Sequence, residues 1–134
     1  MNKLYFKYGS MGSSKTAQAL MCRLKKKKKG FNVLLAKPSI DTRSSNVTSR
    51  IGLTAKCETF SPKENLIEFF NKFNKESKID VFIIDEAQFL TKEQVNELKE
   101  ISLTIPVLCY GLLTNFKTEL FEGSKRLVEL SDSL

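Results

Sequence analysis

Tyr5-Phe6-Lys7-Tyr8-Gly9-Ser10-Met11-Gly12-Ser13-Ser14-Lys15-Thr16 is the stretch on which the reading of this chain turns. A short apolar strand breaks into a Gly/Ser loop, and the loop ends in Lys-Thr where a helix begins. The spacing is Gly9-x-x-x-x-Ser14-Lys15-Thr16, with Ser14 where the usual phosphate-loop pattern carries glycine. Small residues let backbone N–H groups turn inward around an anion. The first turn of the helix adds its unpaired N–H groups and the positive end of its dipole. On this reading Gly9, Ser10, Met11, Gly12, Ser13 and Ser14 cradle a polyphosphate. Lys15 reaches the β- and γ-phosphates, and the Thr16 hydroxyl ligates Mg²⁺. A plain Gly/Ser turn opening a helix would use the same residue types, so the loop needs a second half.

Val81-Phe82-Ile83-Ile84-Asp85-Glu86-Ala87-Gln88-Phe89 supplies it. The run is fully apolar, the mark of a strand buried on both faces, and it stops abruptly at two carboxylates. Such a strand is expected to lie beside strand one, with its acids at the C-terminal edge of a parallel sheet, where ligands bind. Successive residues there diverge. Asp85 is then placed to hold Mg²⁺ directly or through water. Glu86 is placed to face the acceptor and take a proton, a role that adds roughly 10²–10⁴-fold to phosphoryl transfer. Two acids capping the following turn would be the bland alternative. Together the halves describe a nucleotide-binding site with Asp85, Glu86, Ala87 and Gln88 beside the phosphate loop.

The bulk numbers fit one domain, residues 1–134, with 41% hydrophobic residues to build a core. No apolar run approaches the roughly twenty residues of a membrane span, and a strand begins almost at the N-terminus; a cytoplasmic location is the expectation. Cys22, Cys57 and Cys109 are scattered, and histidine is absent, so the chain offers no zinc ligand set and no disulfide framework. Of the net charge of +7, the run Lys25 to Lys29 is the densest part. Cations at a helix C-terminus complement its dipole, and no aromatics interleave them, which favours a solvated helix end over a nucleic-acid patch.

Along the chain, strand 3–8 is followed by a helix from about Lys15 to Lys28 with Ala17, Leu20, Met21 and Leu24 at helical spacing, ended by Gly30. Val33 to Ala36 form a second buried strand, and the polar stretch Pro38 to Lys56 is a long loop. Ser61-Pro62-Lys63-Glu64 predicts a helix start with Ser61 as N-cap, its apolar face made by Leu66, Ile67, Phe69, Phe70 and Phe73. Thr91-Lys92-Glu93-Gln94 repeats the signature ahead of Val95, Leu98 and Ile101. Strand Val107 to Tyr110 and a last helix from about Thr118 complete the pattern, with no closing strand after it. Alternating strands and helices imply an α/β fold: a parallel sheet with helices on both faces.

The ordered series Gly9-Ser10-Met11 to Lys15-Thr16, Lys37-Pro38 with Asp41-Thr42-Arg43, Ser49-Arg50-Ile51-Gly52-Leu53, Asp85 to Phe89, and Cys109-Tyr110-Gly111-Leu112 with Phe116 and Leu120-Phe121-Glu122-Gly123-Ser124 resembles the bacterial-type thymidine kinase family over essentially the whole chain. The resemblance implies a P-loop NTPase-like (RecA-like) sheet and transfer of the ATP γ-phosphate to the 5′-hydroxyl of thymidine or deoxyuridine. It implies Glu86 as base, Arg43 beside the phosphates, and Phe89, Phe116 and Phe121 lining the nucleoside pocket. A flat base suits aromatic walls, and a transferring phosphoryl suits an arginine. Phe116 and Phe121 would serve equally as core, and Arg43 or Arg50 as surface.

Ser44 stands where the family usually has an aromatic, and Asn115 where it usually has an acid. Family chains also carry a zinc-binding Cys-rich region and a flexible lasso over thymidine, and tetramers are usual. No residue up to Leu134 matches either region, so the expectation is that ATP binding persists better than thymidine phosphorylation. Two rival readings are a non-catalytic ATP-binding module and a nucleic-acid-stimulated ATPase built on the lysine run.

Overall fold

A computed structural model describes residues 3–9, 15–39, 46–48, 54–115 and 117–134. Five strands form one parallel sheet: β1 (Leu4–Gly9), β2 (Val33–Pro38), β5 (Glu58–Phe60), β6 (Val81–Ile84) and β7 (Val107–Leu112), in the order β1-β7-β6-β2-β5. A short antiparallel pair, β3 (Asn46–Thr48) and β4 (Thr54–Lys56), stands apart. Helices α1 (Lys15–Lys28), α2 (Leu66–Glu76), α3 (Lys92–Ile101) and α4 (Glu122–Leu130) cover the sheet.

Strand alternation sorts the core into two layers. Leu34, Ala36, Phe82, Ile84, Val107 and Cys109 pack under α2, α3 and α4. The intervening residues Leu35, Val81, Ile83 and Tyr110 pack under Ala19 and Leu20 of α1. All four residues of β6 are buried, as a fully apolar run between two helix layers must be. Of the three cysteines, Cys57 and Cys109 are buried and Cys22 partly so. No helix among the described residues is long and apolar enough to cross a membrane.

The end of α1 is set by glycine. Gly30 has φ +86°, its N–H donates to the Lys27 carbonyl, and the Phe31 N–H donates to that of Lys26, the bond pattern of a left-handed helix stop. The buried face of this helix differs from the spacing argument: Ala19 and Leu20 meet the sheet, whereas Met21 and Leu24 are 44% and 45% exposed. One helix on a sheet buries a narrow stripe, and these two residues fall outside it.

Five expectations need correction. Strand β6 does not lie beside β1; β7 is inserted between them, pairing Leu4 with Val107 on one side and Phe82 with Val107 on the other. Helix α2 begins at Leu66, with Asn65 rather than Ser61 as N-cap; its side chain accepts from the N–H groups of Ile67 and Glu68. The cause is tertiary. The Gln94 amide of α3 donates to the carbonyls of Ser61 (2.9 Å) and Glu64 (3.1 Å), holding the segment as a turn. Helix α4 begins at Glu122, because Thr118 takes φ +62° and Thr114 bridges Leu120 first. Finally, the segment after α4 does return to the sheet: Phe6 N–H donates to the Ser133 carbonyl at 3.0 Å, and Ser133 bridges Tyr5 in parallel. Strand β5 and the β3–β4 pair also lie in or just after the polar stretch read as loop.

Candidate active site

All strands of a parallel sheet end on one edge, and here that edge gathers Gly9, Pro38, Ile84 and Leu112. The decisive contact crosses the inserted strand. Thr16, in the first turn of α1, donates its hydroxyl to Asp85 Oδ2 at 3.0 Å. Helix α1 lies over β7 and β6, so its N-terminus reaches the end of β6 although β1 does not touch that strand. Asp85 is 2% exposed and its N–H continues the ladder to the Ala36 carbonyl at 2.9 Å.

Glu86 takes the left-handed conformation, φ 57° and ψ 38°. For a residue with a Cβ this costs about 1–2 kcal/mol, and such strain gathers where a side chain must be aimed. It breaks β6 into the 3-10 turn Ala87–Phe89. Burial raises both carboxyl pKa values. For Asp85 this is offset by the Glu86 N–H, the Thr16 hydroxyl and Lys37; for Glu86 the Asp85 charge adds to the rise and Lys37 opposes it.

Lys37 is a residue the sequence argument left out of the site. The register pairs Ala36 with Ile84, so Lys37 stands level with Asp85 and extends the row of Leu35 beside that of Ile83, toward α1. Counting two residues on from a buried strand position could have found it.

The turn after Glu86 faces inward. Ala87 is fully buried in the core, and Gln88, 4% exposed, accepts the Leu112 N–H on its Oε1 at 3.1 Å. Their side chains hold the turn; any nucleotide contact from Ala87 would come from its backbone. Phe89 is 37% exposed and meets the half-buried Phe121 edge-to-face, with ring centroids 5.6 Å apart. Two of the three aromatics expected at the nucleoside pocket are thus together. Lys15 is tethered loosely, its Nζ 3.5 Å from Gln18 Oε1. Gly9 ends β1 and accepts from the Leu113 N–H at 3.2 Å. The expected cradle Ser10, Met11, Gly12, Ser13 and Ser14, together with Arg43, Arg50 and Phe116, lies outside the described residues.

Among the described residues no three His, Cys, Asp or Glu side chains converge as a metal cluster. The Thr16 hydroxyl and Asp85 carboxylate are nonetheless hard oxygen donors in contact, a set that fits Mg²⁺, which keeps several of its waters.

The family model described as Thymidine kinase matches residues 2–134. The thymidine kinase of Mannheimia succiniciproducens is 41% identical, in an alignment taking in 100% of this chain and 71% of that protein. That of Haemophilus influenzae is also 41% identical, with 72% of its length covered. The thymidine kinase of Enterobacteria phage T4 is 39% identical, again with 72% covered. On the family model over residues 2–134 and on relatives 41% identical along the whole of it, the chain belongs to the thymidine kinase family.

Proposed function

We propose that this chain moves the γ-phosphoryl group of ATP to the 5′-hydroxyl of thymidine or deoxyuridine. The observation that carries the reading is the Thr16–Asp85 hydrogen bond with the left-handed Glu86 next in the chain. It joins the helix that follows the phosphate loop to the acid-bearing strand, as a site for a metal-bound polyphosphate requires. The names of the relatives point to the acceptor.

In the reaction the acceptor O5′ forms a bond to the γ-phosphorus, the bond from that phosphorus to the β–γ bridging oxygen breaks, and ADP leaves. The hydroxyl proton passes to Glu86. Its burial raises its proton affinity, which suits a group that must accept a proton at neutral pH. Asp85 and Thr16 would hold Mg²⁺, which when bound neutralises charge on the β- and γ-phosphates. Lys15 would follow the β- and γ-phosphates as a point charge, with Arg43 beside them. Backbone N–H groups from Gly9 to Lys15 would cradle the polyphosphate, and Phe89, Phe121 and Phe116 would wall the base.

The test is ATP- and Mg²⁺-dependent phosphorylation of thymidine beside deoxyuridine, deoxycytidine and no nucleoside. Selective thymidine monophosphate formation is expected, and Glu86→Gln should lose roughly 10²–10⁴-fold in turnover while still binding MgATP. Unchanged turnover removes Glu86 from the mechanism. ATP bound with no product from any nucleoside leaves a nucleotide-binding module.

A further inference from the structure

The turn that carries Glu86 is gripped from two sides by residues not yet given a role. On β7, a Cβ placed on Gly111 would lie 2.6 Å from Gln88 Oε1, 3.0 Å from Gln88 N and 3.1 Å from Ala87 N. In the first turn of α4, a Cβ on Gly123 would lie 2.5 Å from the Leu90 carbonyl oxygen and 3.1 Å from both the Ala87 carbonyl oxygen and the Leu90 nitrogen. Neither glycine has positive φ, so closeness rather than backbone conformation demands it. Polar links join these elements and α3. Leu112 donates its N–H to Gln88 Oε1 and accepts the Ser124 hydroxyl on its carbonyl, and Lys92 donates its N–H to Glu122 Oε1 at 3.2 Å.

We propose that Gly111 and Gly123 are positioning residues for phosphoryl transfer. They form a socket on two sides of residues 85–90 that fixes Glu86 in its left-handed conformation and holds Phe89 against Phe121. What Glu86 does chemically rests on the function proposed above, while the socket is a property of the packing. A strained residue keeps its conformation only where its surroundings over-determine it. Here the strain sits at Glu86 and the determination comes from β7 and α4. A methyl on Gly123 meets backbone alone, so the turn or the helix must shift. Displacements of about 1 Å cost on the order of 10²-fold in transfer chemistry.

The experiment compares Gly111→Ala and Gly123→Ala with a control, Gly30→Ala. Gly30 has φ +86° and open space around its Cβ position, so alanine there strains the fold without touching the socket. Each protein is measured for kcat and KM with thymidine, Kd for MgATP, thermal melting, and amide exchange over residues 85–90. Gly123→Ala should lower kcat roughly 10–100-fold, with the MgATP Kd within about 2-fold of wild type. The N–H groups of Phe89 and Leu90, bonded to the Glu86 and Ala87 carbonyls, should exchange faster. Gly30→Ala should melt lower yet keep its kcat. Gly111→Ala clashes first with the end of a side chain and is the milder variant; it carries the test should Gly123→Ala not fold. Socket variants whose kcat merely follows melting temperature, as the control's would, overturn the proposal, and so does unchanged exchange over 85–90. If the wild type forms no thymidine monophosphate, the substrate reading falls alone, and exchange over 85–90 still decides the socket.

Discussion

Asp85 is a carboxylate almost removed from water, with a second carboxylate next to it. Burial raises its pKa, so the folded protein binds the proton more tightly than the unfolded chain does. Stability from this group is therefore fullest below the ordinary value of 3.8 and is lost as pH rises through the raised folded value; Glu86 contributes with the same sign. Asp85→Asn keeps an oxygen for the Thr16 hydroxyl and drops the charge. It is expected to melt higher than wild type at about pH 7, to melt like wild type below the ordinary carboxylate range, and to lose Mg²⁺-dependent transfer. Melting curves across pH decide this; a variant that melts lower at neutral pH contradicts it. At this scale the acids were legible because a buried apolar run that stops at Asp-Glu has few other uses. Lys37 was not, since a lysine after an apolar strand reads as a solvated end. Nor were Gly111 and Gly123: the closeness that demands glycine is created by packing between segments distant in sequence.

At the scale of the element, local sequence named the helices more faithfully than their first residues. Thr91 forms the capping box its sequence announces, accepting from the Gln94 N–H while the Gln94 side chain accepts from the Thr91 N–H. Ser61-Pro62-Lys63-Glu64 carries the same signature, and its Glu64 side chain does accept the Ser61 N–H, at 2.6 Å. Yet the helix starts after Asn65. Glu97 of α3 takes the Leu66 N–H at 2.8 Å, and Gln94 takes the Ser61 and Glu64 carbonyls, so a neighbouring helix chooses between two locally adequate starts. Asn65→Ala is accordingly expected to cost about 1 kcal/mol in urea unfolding, and Ser61→Ala less. Equal losses would return the cap to Ser61. The strand β5 escaped notice for a related reason: three residues, Glu58 to Phe60, are too few for a period to declare itself.

For the whole molecule, alternation of strands and helices was enough to foresee a parallel sheet with helices on both faces, because each amphipathic element needs a layer to cover it. Strand order was not foreseeable in that way, since any of several right-handed crossovers buries the same faces. The two layers also differ in weight. Phe82 is fully buried and stacks on Phe70 at 5.7 Å between centroids, beneath the three-helix layer. Phe82→Ala should lower the unfolding free energy by about 3–5 kcal/mol in denaturant titration, and a loss under about 1 kcal/mol would contradict the assigned core. The order β1-β7-β6 has a last consequence, for the growing chain. Among the described residues, strand β1 pairs with β7, made about a hundred residues later, and with Asp132 and Ser133, later still. At about 5–20 residues added per second, β1 waits some 5–20 s on the ribosome without a strand to pair with. For that interval the segment Leu4 to Gly9 is a naked sticky edge, and shielding the newborn chain rather than stabilising the finished one is what would raise the yield of folded protein.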